Sequence, residues 1–244
     1  MLLAVVIPVY NEARLLRPCL DRLESTDPPA GCERLIVLVD DGSTDGSREQ
    51  VDSYGSRPGY AVVLQPRNRG KGAAIRAGFE VARGRGADLA LIHDADLEYD
   101  PRDHHAACAP IVNGDADVVI GNRFATGMTR GSEWFHRCVN RSLTIASNAL
   151  TGLSIGDMEC CTKVLSRPVL DRLRLKEDRF GLEPEIVARI SRMRLETPAG
   201  PRRPRVVEVP VRYDGRTKSE GKKIGWSDGL SALRCIVKYG VFEG

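Results

Sequence analysis

Five short runs rich in valine, isoleucine and leucine recur in the first half of the chain, and segments with a helical pattern separate them. Each run is apolar at nearly every position, which is typical of strands buried on both faces of a parallel sheet. Strands that alternate with helices predict an α/β fold with a mostly parallel sheet flanked by helices. The runs cover residues 2–8, 34–40, 60–65, 88–94 and 116–121.

The alternation weakens beyond about residue 125, where helical patterns dominate. A chain of 244 residues can bury one sizeable core, so we expect a single domain, 1–244, with a C-terminal elaboration. The predicted helices cover residues 15–23, 43–54, 70–84, 134–152, 179–193 and 226–242, and a further strand covers 205–213.

The composition excludes several classes of protein. The hydrophobic share of 42% and the mean hydropathy of -0.26 are ordinary for a soluble globular domain. No apolar run approaches the ~18 residues of a membrane span, so we expect no transmembrane segment. The seven cysteines are an odd number without a C-x-x-C pair, which favours a reducing, cytoplasmic setting and no zinc site. A net charge of +3 is too small to indicate nucleic-acid binding.

Polar clusters follow each of the five predicted strands. The carboxyl ends of parallel strands meet at one edge of the sheet, where ligands of α/β proteins bind. The five clusters together therefore predict a binding site at that edge. They are "PVYNE" (8–12), "DDGSTD" (40–45), "NRGKGAA" (68–74), "DADLE" (94–98) and "GNR" (121–123).

The fourth cluster places Asp94, Asp96 and Glu98 at every second position, so an extended backbone would turn them to one face. Two like charges about 4 Å apart repel by roughly 4 kcal/mol near a protein surface, so the acids need a cation, a proton or solvent. Ligands that are all oxygen favour Mg2+ or Mn2+. The simpler alternative is a solvated turn before Pro101.

The other clusters carry the chemistry of a nucleotide site. Tyr10 offers a ring to a nucleobase, and Glu12 and Asp41 offer acceptors to ribose hydroxyls or base N–H groups. Lys71 and Arg123 offer donors to phosphate. Neither G-x-x-x-x-G-K-[ST] nor G-x-G-x-x-G follows a predicted strand. The sequence therefore lacks the motifs that usually identify phosphate-loop ATPases and dinucleotide dehydrogenases.

The histidines near these acids suggest a transition-metal site as an alternative. His93 lies in a predicted buried strand, and His104 and His105 lie on the helix expected after it. This placement favours a structural role for the histidines.

In their order and spacing, these clusters resemble the family 2 glycosyltransferases of GT-A fold, particularly the polyprenyl- or dolichyl-phosphate mannose and glucose synthases. The resemblance continues into "GDMECCTKVL" (156–165), which is similar to a D-x-x-x-G-F-[RK] segment, with cysteines where the family has Gly-Phe. It ends in "RTKSEGKKI" (216–224), which is similar to an R-x-x-G-x-S-K loop.

The resemblance implies a nucleotide-sugar-binding half (1–125), an acceptor-side half (126–244) and a role for each matching residue. Arg123 and Asp157 would be catalytic, with Glu159 as a second candidate base. Asp94, Asp96 and Glu98 would hold Mg2+ or Mn2+. The nucleotide-sugar would be bound by Pro8, Tyr10, Glu12, Asp41, Lys71, Asp94, Arg216 and Lys222.

The implied reaction is an inverting transfer of a hexose from a UDP- or GDP-sugar to a polyprenyl phosphate. One alternative keeps the donor and uses a soluble hydroxyl acceptor, and another is a non-catalytic nucleotide-sugar-binding scaffold. For a lipid acceptor we expect peripheral contact with the cytoplasmic face of a membrane through the 226–242 helix and basic loops. The sequence leaves a homo-oligomer open.

Overall fold

A computed structural model describes residues 1–125, 134–216 and 226–242. Within them the chain forms one seven-stranded sheet with helices on both faces. In chain order the strands are β1 (Leu2–Val9), β2 (Glu33–Asp40), β3 (Tyr60–Leu64), β4 (Leu89–Ile92), β5 (Val118–Asn122), β6 (Lys163–Ser166) and β7 (Val206–Pro210).

The strand order across the sheet is β3-β2-β1-β4-β6-β5-β7. Neighbouring strands from β3 to β4 are parallel, β6 is antiparallel to both β4 and β5, and β7 is parallel to β5. Six strands therefore share one direction, and their carboxyl ends define one edge. The prediction of an α/β fold with a mostly parallel sheet is confirmed.

Eight α-helices accompany the sheet in the described residues. A 3-10 turn at Pro101–Asp103 precedes one of them, and a π-helical segment at Lys238–Phe242 continues the last. They are α1 (Leu16–Glu24), α2 (Ser47–Ser53), α3 (Lys71–Gly84), α4 (His104–Val112), α5 (Trp134–Thr151), α6 (Arg167–Arg172), α7 (Leu182–Arg192) and α8 (Trp226–Val237).

All five strands expected in the first half are present, with small shifts at their ends. The strand β4 stops at Ile92, two residues earlier than expected, so that His93 and Asp94 already lie beyond the strand. The sequence analysis missed β6 and α6. The strand β6 has only four residues and pairs antiparallel between two strands of the parallel set, so it lacks the long apolar run that marked the others.

The core lies on both faces of the sheet, and β1 shows how the sequence builds it. Ala4 and Val6 face the layer that contains α3 and α7, while Leu3, Val5 and Ile7 face the layer that contains α1, α2 and α4. All five are fully buried. An apolar residue at every position of this strand therefore has a partner on one side or the other.

The helix α3 approaches β1 closely because Gly78 faces Val6. A Cβ atom placed on Gly78 would lie 2.2 Å from Val6 Cγ1. The approach matters for the site, because α3 begins at Lys71, at the carboxyl edge of the sheet.

We expect Gly78→Ala to destabilise the protein by about 1–3 kcal/mol, because the added methyl overpacks the contact with Val6. Gly84→Ala in the last turn of the same helix is the matched control, since nothing lies within 4 Å of its Cβ position. The control should be neutral or slightly stabilising. Urea unfolding of both variants, and of Gly78→Ala combined with Val6→Ala, tests this. Equal stabilities of the two single variants would contradict it.

Candidate active site at the carboxyl edge of the sheet

The loops after β1 and β2 are joined by side-chain to backbone hydrogen bonds. The amide of Asn11 donates to Ser43 Oγ at 3.0 Å, and the amide of Thr44 donates to Asn11 Oδ1 at 2.8 Å. Glu12 donates its amide to Ser47 Oγ at 2.8 Å. These bonds hold the "PVYNE" and "DDGSTD" segments side by side, as the sequence predicted for clusters at one edge.

Two predicted nucleotide contacts lie at the end of β1. Pro8 pairs with Val39 inside the sheet and is half-buried. Tyr10 is 38% exposed, and its predicted contact with a nucleobase stays a prediction.

Asp41 is buried and shapes the neighbouring loop. Its two carboxylate oxygens accept the amide hydrogens of Arg69 at 2.9 Å and Gly70 at 2.7 Å. Gly42 lies against the same loop, and a Cβ there would lie 2.5 Å from the carbonyl carbon of Arg67. The predicted ribose contact of Asp41 stays a prediction, and the contacts shown here give Asp41 the role of positioning residues 67–70.

Lys71 joins the loop after β4 to Cys161 and to the first turn of α7. Its ammonium lies 2.9 Å from Asp94 Oδ1, 3.6 Å from Glu183 Oε1 and 2.9 Å from Cys161 Sγ. Burial opposes the charge on Lys71, but Asp94, Cys161 and Glu183 outweigh it and raise the pKa of Lys71 well above its usual value. Lys71 therefore stays protonated between two acids.

Arg216 reaches three acids from two other loops. Its guanidinium lies 2.8 Å from Asp96, 3.2 Å from Glu98 and 3.5 Å from Glu12. Tyr213 adds a hydrogen bond from its hydroxyl to Glu98 Oε2 at 2.7 Å. Tyr213 and Arg216, which follow β7, are thus bound to the "DADLE" segment.

The acids of the "DADLE" segment fit a hard divalent cation. Burial and the charges of Asp94 and Glu98 raise the pKa of Asp96 to about 7. The surroundings therefore disfavour the negative charge of Asp96, and a bound cation would stabilise it. Within the part of the chain that the structure describes, no three His, Cys, Asp or Glu side chains form a complete metal site. Because Mg2+ is usually held by one or two carboxylates together with substrate phosphates, this donor set suits a cation that arrives with a diphosphate.

The pair of Arg123 and Asp157 is the most enclosed ion pair of the site. The guanidinium donates to both oxygens of Asp157 at 2.7 Å each, and the amide of Arg123 donates as well, at 3.1 Å. Asn140 donates to Asp157 Oδ1 at 2.9 Å. Burial opposes the charge on Asp157, but the Arg123 guanidinium and Asn140 lower the pKa of Asp157 below its usual value.

These contacts favour a positioning role for Asp157. A carboxylate with both oxygens bound and a lowered pKa has little affinity for a further proton. Glu208 supports the same loop, because its carboxylate accepts the amide hydrogens of Gly156 and Asp157 at 2.8 and 3.0 Å. The expected catalytic role of Asp157 stays a prediction, and its geometry here serves to orient Arg123.

Several members of this site were missed by the sequence analysis. Asn140, Glu208 and Tyr213 come from a helix, a strand and a loop without any local pattern that marks them. Glu183 lies in the predicted 179–193 helix and could be an acceptor-side residue or simply begin that helix, and its contact with Lys71 is visible only in the fold. The predicted Lys222 lies outside the described residues.

The histidines near the acids pack against each other. His93 and His104 are buried, with His93 Nδ1 and His104 Nε2 3.2 Å apart. Burial lowers the pKa of His93 to about 4. The two histidines therefore form a neutral, hydrogen-bonded pair that joins the residue before Asp94 to the start of α4.

We expect Asp157→Asn to destabilise the protein by about 3–5 kcal/mol at pH 7, because it leaves the buried Arg123 charge without its partner. The lowered pKa of Asp157 means that its stabilisation is present above pH ~4 and is lost as the pH falls through the folded-state pKa. The difference between variant and wild type should therefore shrink near pH 3. Urea unfolding at both pH values measures it.

Asp171→Asn is the control for this prediction. Asp171 pairs with Arg167 one helical turn away and is 42% exposed, so its loss should cost about 0.5 kcal/mol or less. Similar losses in Asp157→Asn and Asp171→Asn would contradict the positioning role.

Comparison with known proteins agrees with this geometry. The solved structure of glucosyl-3-phosphoglycerate synthase from Mycobacterium tuberculosis in complex with Mn2+, UDP and phosphoglyceric acid superposes with a TM-score of 0.69 at 16% identity, over 98% of this chain and 78% of that one. A complex of the same synthase with Mg2+ and UDP gives a TM-score of 0.67 at 18% identity, over 97% of this chain and 78% of that one. The GT-A fold is thus shared.

Curated relatives are similar in sequence as well. An undecaprenyl-phosphate 4-deoxy-4-formamido-L-arabinose transferase of Aeromonas hydrophila is 32% identical over 82% of this chain and 59% of its own length. The transferase of the same name from Pseudomonas paraeruginosa is 36% identical over 75% of this chain and 52% of its own length. The chain therefore spans between half and three fifths of these relatives. Residues 4–174 match the family described as Glycosyl transferase family 2, and the chain belongs to that family.

Proposed function

We propose that this protein moves a sugar from a UDP-sugar to a polyprenyl phosphate of the undecaprenyl type, with inversion at the sugar C1. The observation that carries the proposal is the meeting of Asp94, Asp96 and Glu98 with Lys71 and Arg216 at the carboxyl edge of the sheet. The names of the curated relatives support the acceptor, and the ligands of the structural neighbours support UDP and a divalent metal.

The donor half would use exchangeable ion pairs. One divalent cation held by Asp96 with Asp94 or Glu98 would supply Lewis-acid stabilisation of the leaving diphosphate. Arg216 would offer its guanidinium to phosphate oxygens of the donor. The exposed ring of Tyr10 would stack on the base, and Glu12 would accept hydrogen bonds from ribose hydroxyls.

The acceptor half would need orientation more than base catalysis. An acceptor phosphate oxygen attacks C1 from the face opposite the nucleotide, the bond between C1 and the diphosphate oxygen breaks, and the nucleoside diphosphate leaves. A phosphate is already ionised at neutral pH, so no proton has to be removed from it. Arg123, held by Asp157, can then act as a fixed cation for that phosphate.

A lipid acceptor also requires contact with a membrane, and an exposed apolar stripe on α8 and the π-helical segment suits it. Leu233, Val237 and Val241 are spaced four residues apart and are 44%, 42% and 53% exposed, and Phe242 is 77% exposed. Arg234 lies beside them and is also exposed. We propose that this stripe rests on an anionic bilayer. Among the described residues, no helix is long and apolar enough to cross one.

The donor half is tested by calorimetric titration of UDP and GDP in the presence of Mn2+ and of EDTA. We expect UDP to bind with Mn2+ and to lose at least tenfold in affinity with EDTA or in Asp96→Asn, because the cation loses a carboxylate ligand. Asp100→Asn is the matched control, since Asp100 pairs with Arg102 on the same loop and the change keeps an N-cap residue. Binding that ignores both metal and Asp96 would refute the metal assignment.

The acceptor half is tested by sedimentation with vesicles. We expect the wild type to bind vesicles rich in phosphatidylglycerol at low salt and to bind pure phosphatidylcholine weakly. Val241→Ser combined with Phe242→Ser should weaken binding at least tenfold, since each side chain buries apolar area worth about 1.5–3 kcal/mol when fully covered. If the wild type does not sediment with anionic vesicles, a soluble hydroxyl acceptor becomes the better hypothesis.

A further inference from the structure

Glu159 is an acid of the proposed acceptor side that takes part in none of the ion pairs described above. It lies on the loop between Asp157, which holds Arg123, and Cys161, which contacts Lys71. Its Oε1 atom is fully enclosed and has no hydrogen-bond partner among the residues that the structure describes. The residue as a whole is only partly buried. An enclosed carboxyl oxygen without a partner is unfavourable unless a ligand or a proton satisfies it.

The charges around Glu159 come from four elements. Glu183 faces it from the first turn of α7, Lys163 from β6, Arg123 from the end of β5, and Asp157 from its own loop. Arg123 is already committed to Asp157. The ammonium of Lys163 is buried and donates to the carbonyl oxygens of Met158, at 3.1 Å, and Cys160. Neither cation therefore forms a direct ion pair with Glu159.

The same surroundings decide the protonation of Glu159. Burial and the charge of Glu183 outweigh Lys163 and Arg123, and they raise the pKa of Glu159 to about 8. On its other side Glu183 lies 3.6 Å from the Lys71 ammonium. At neutral pH Glu159 is therefore a neutral carboxylic acid, which can donate a hydrogen bond where an ionised carboxylate could only accept one.

We propose that Glu159 is a specificity residue of the acceptor site, whose protonated carboxyl donates a hydrogen bond to the phosphate of the acceptor. This inference rests on the proposed function, because it assumes that the acceptor carries a phosphate. A phosphate dianion approaching this edge meets Asp94, Asp157 and Glu183, so a further ionised carboxylate would repel it. A protonated Glu159 removes that repulsion and adds a donor on the same loop as Asp157, the partner of Arg123.

The proposal predicts that acceptor binding depends on the protonation of Glu159. Farnesyl phosphate is a suitable probe because it is short enough to stay in solution, and its phosphate is fully ionised well above pH ~6. The affinity of the wild type should fall about tenfold between pH 7 and pH 9, as Glu159 loses its proton. Glu159→Gln keeps an N–H donor at every pH, so its affinity should stay constant over this range.

The decisive measurement is proton uptake on binding, obtained by calorimetry of farnesyl phosphate in buffers of different ionisation enthalpy. At pH 8.5 a group with a pKa of about 8 is about three quarters deprotonated, so the wild type should take up roughly three quarters of a proton when it binds. Glu159→Gln should take up none. Glu196→Gln, which changes an exposed acid on the same half of the chain, is the control and should behave as the wild type.

The possible results separate the inference from the function on which it rests. If the wild type does not bind farnesyl phosphate at pH 6.5, where Glu159 is protonated, the proposed phosphate acceptor is wrong and the inference falls with it. If the wild type binds and takes up no proton at pH 8.5, only the role of Glu159 is overturned. Loss of turnover in Glu159→Gln with unchanged binding and proton uptake would also overturn it, since such a residue acts as a base.

Discussion

Pairing of buried charges at the carboxyl edge of the sheet governs both the local structure and the chemistry of this site. Asp94 pairs with Lys71, Asp157 pairs with Arg123, and Asp96 and Glu98 share Arg216. Each acid would be costly to bury alone. The fold can gather them because each cation comes from a different element, namely the start of α3, the end of β5 and the loop after β7.

The three pairings differ in how readily they can exchange partners. The pair of Arg123 and Asp157 is bidentate and is reinforced by Asn140, so it behaves as a fixed unit. Arg216 instead divides one guanidinium among three carboxylates at 2.8 to 3.5 Å, a loose arrangement that a divalent cation can replace. A site with one fixed and one exchangeable cation suits a reaction in which the donor brings its own metal and the acceptor does not.

The sequence predicted the sheet and its functional edge because both depend on local patterns. Five apolar runs marked the strands from β1 to β5, and a polar cluster after each run marked its carboxyl end. The pairing of the charges depends on contacts between distant parts of the chain: Arg216 reaches Asp96 across 120 residues, and Glu208 reaches the amide of Asp157 across 51. No local pattern encodes such contacts, so the roles of Asn140, Glu208 and Tyr213 and the contact of Glu183 with Lys71 could not be foreseen.

Local pattern and distant contacts also explain why the structure assigns Asp157 and Glu159 different roles from those expected. The two acids lie two residues apart on one loop, and from the sequence both are candidate bases, with Asp157 first. Arg123 and Asn140 surround Asp157 and keep it ionised, whereas Glu159 faces Glu183 and cations that are already engaged. An acid that stays ionised orients a neighbouring cation, and an acid that stays protonated can donate to an anion. With a phosphate as acceptor, the chemistry calls for both properties and for no base, which is the combination that these two side chains provide.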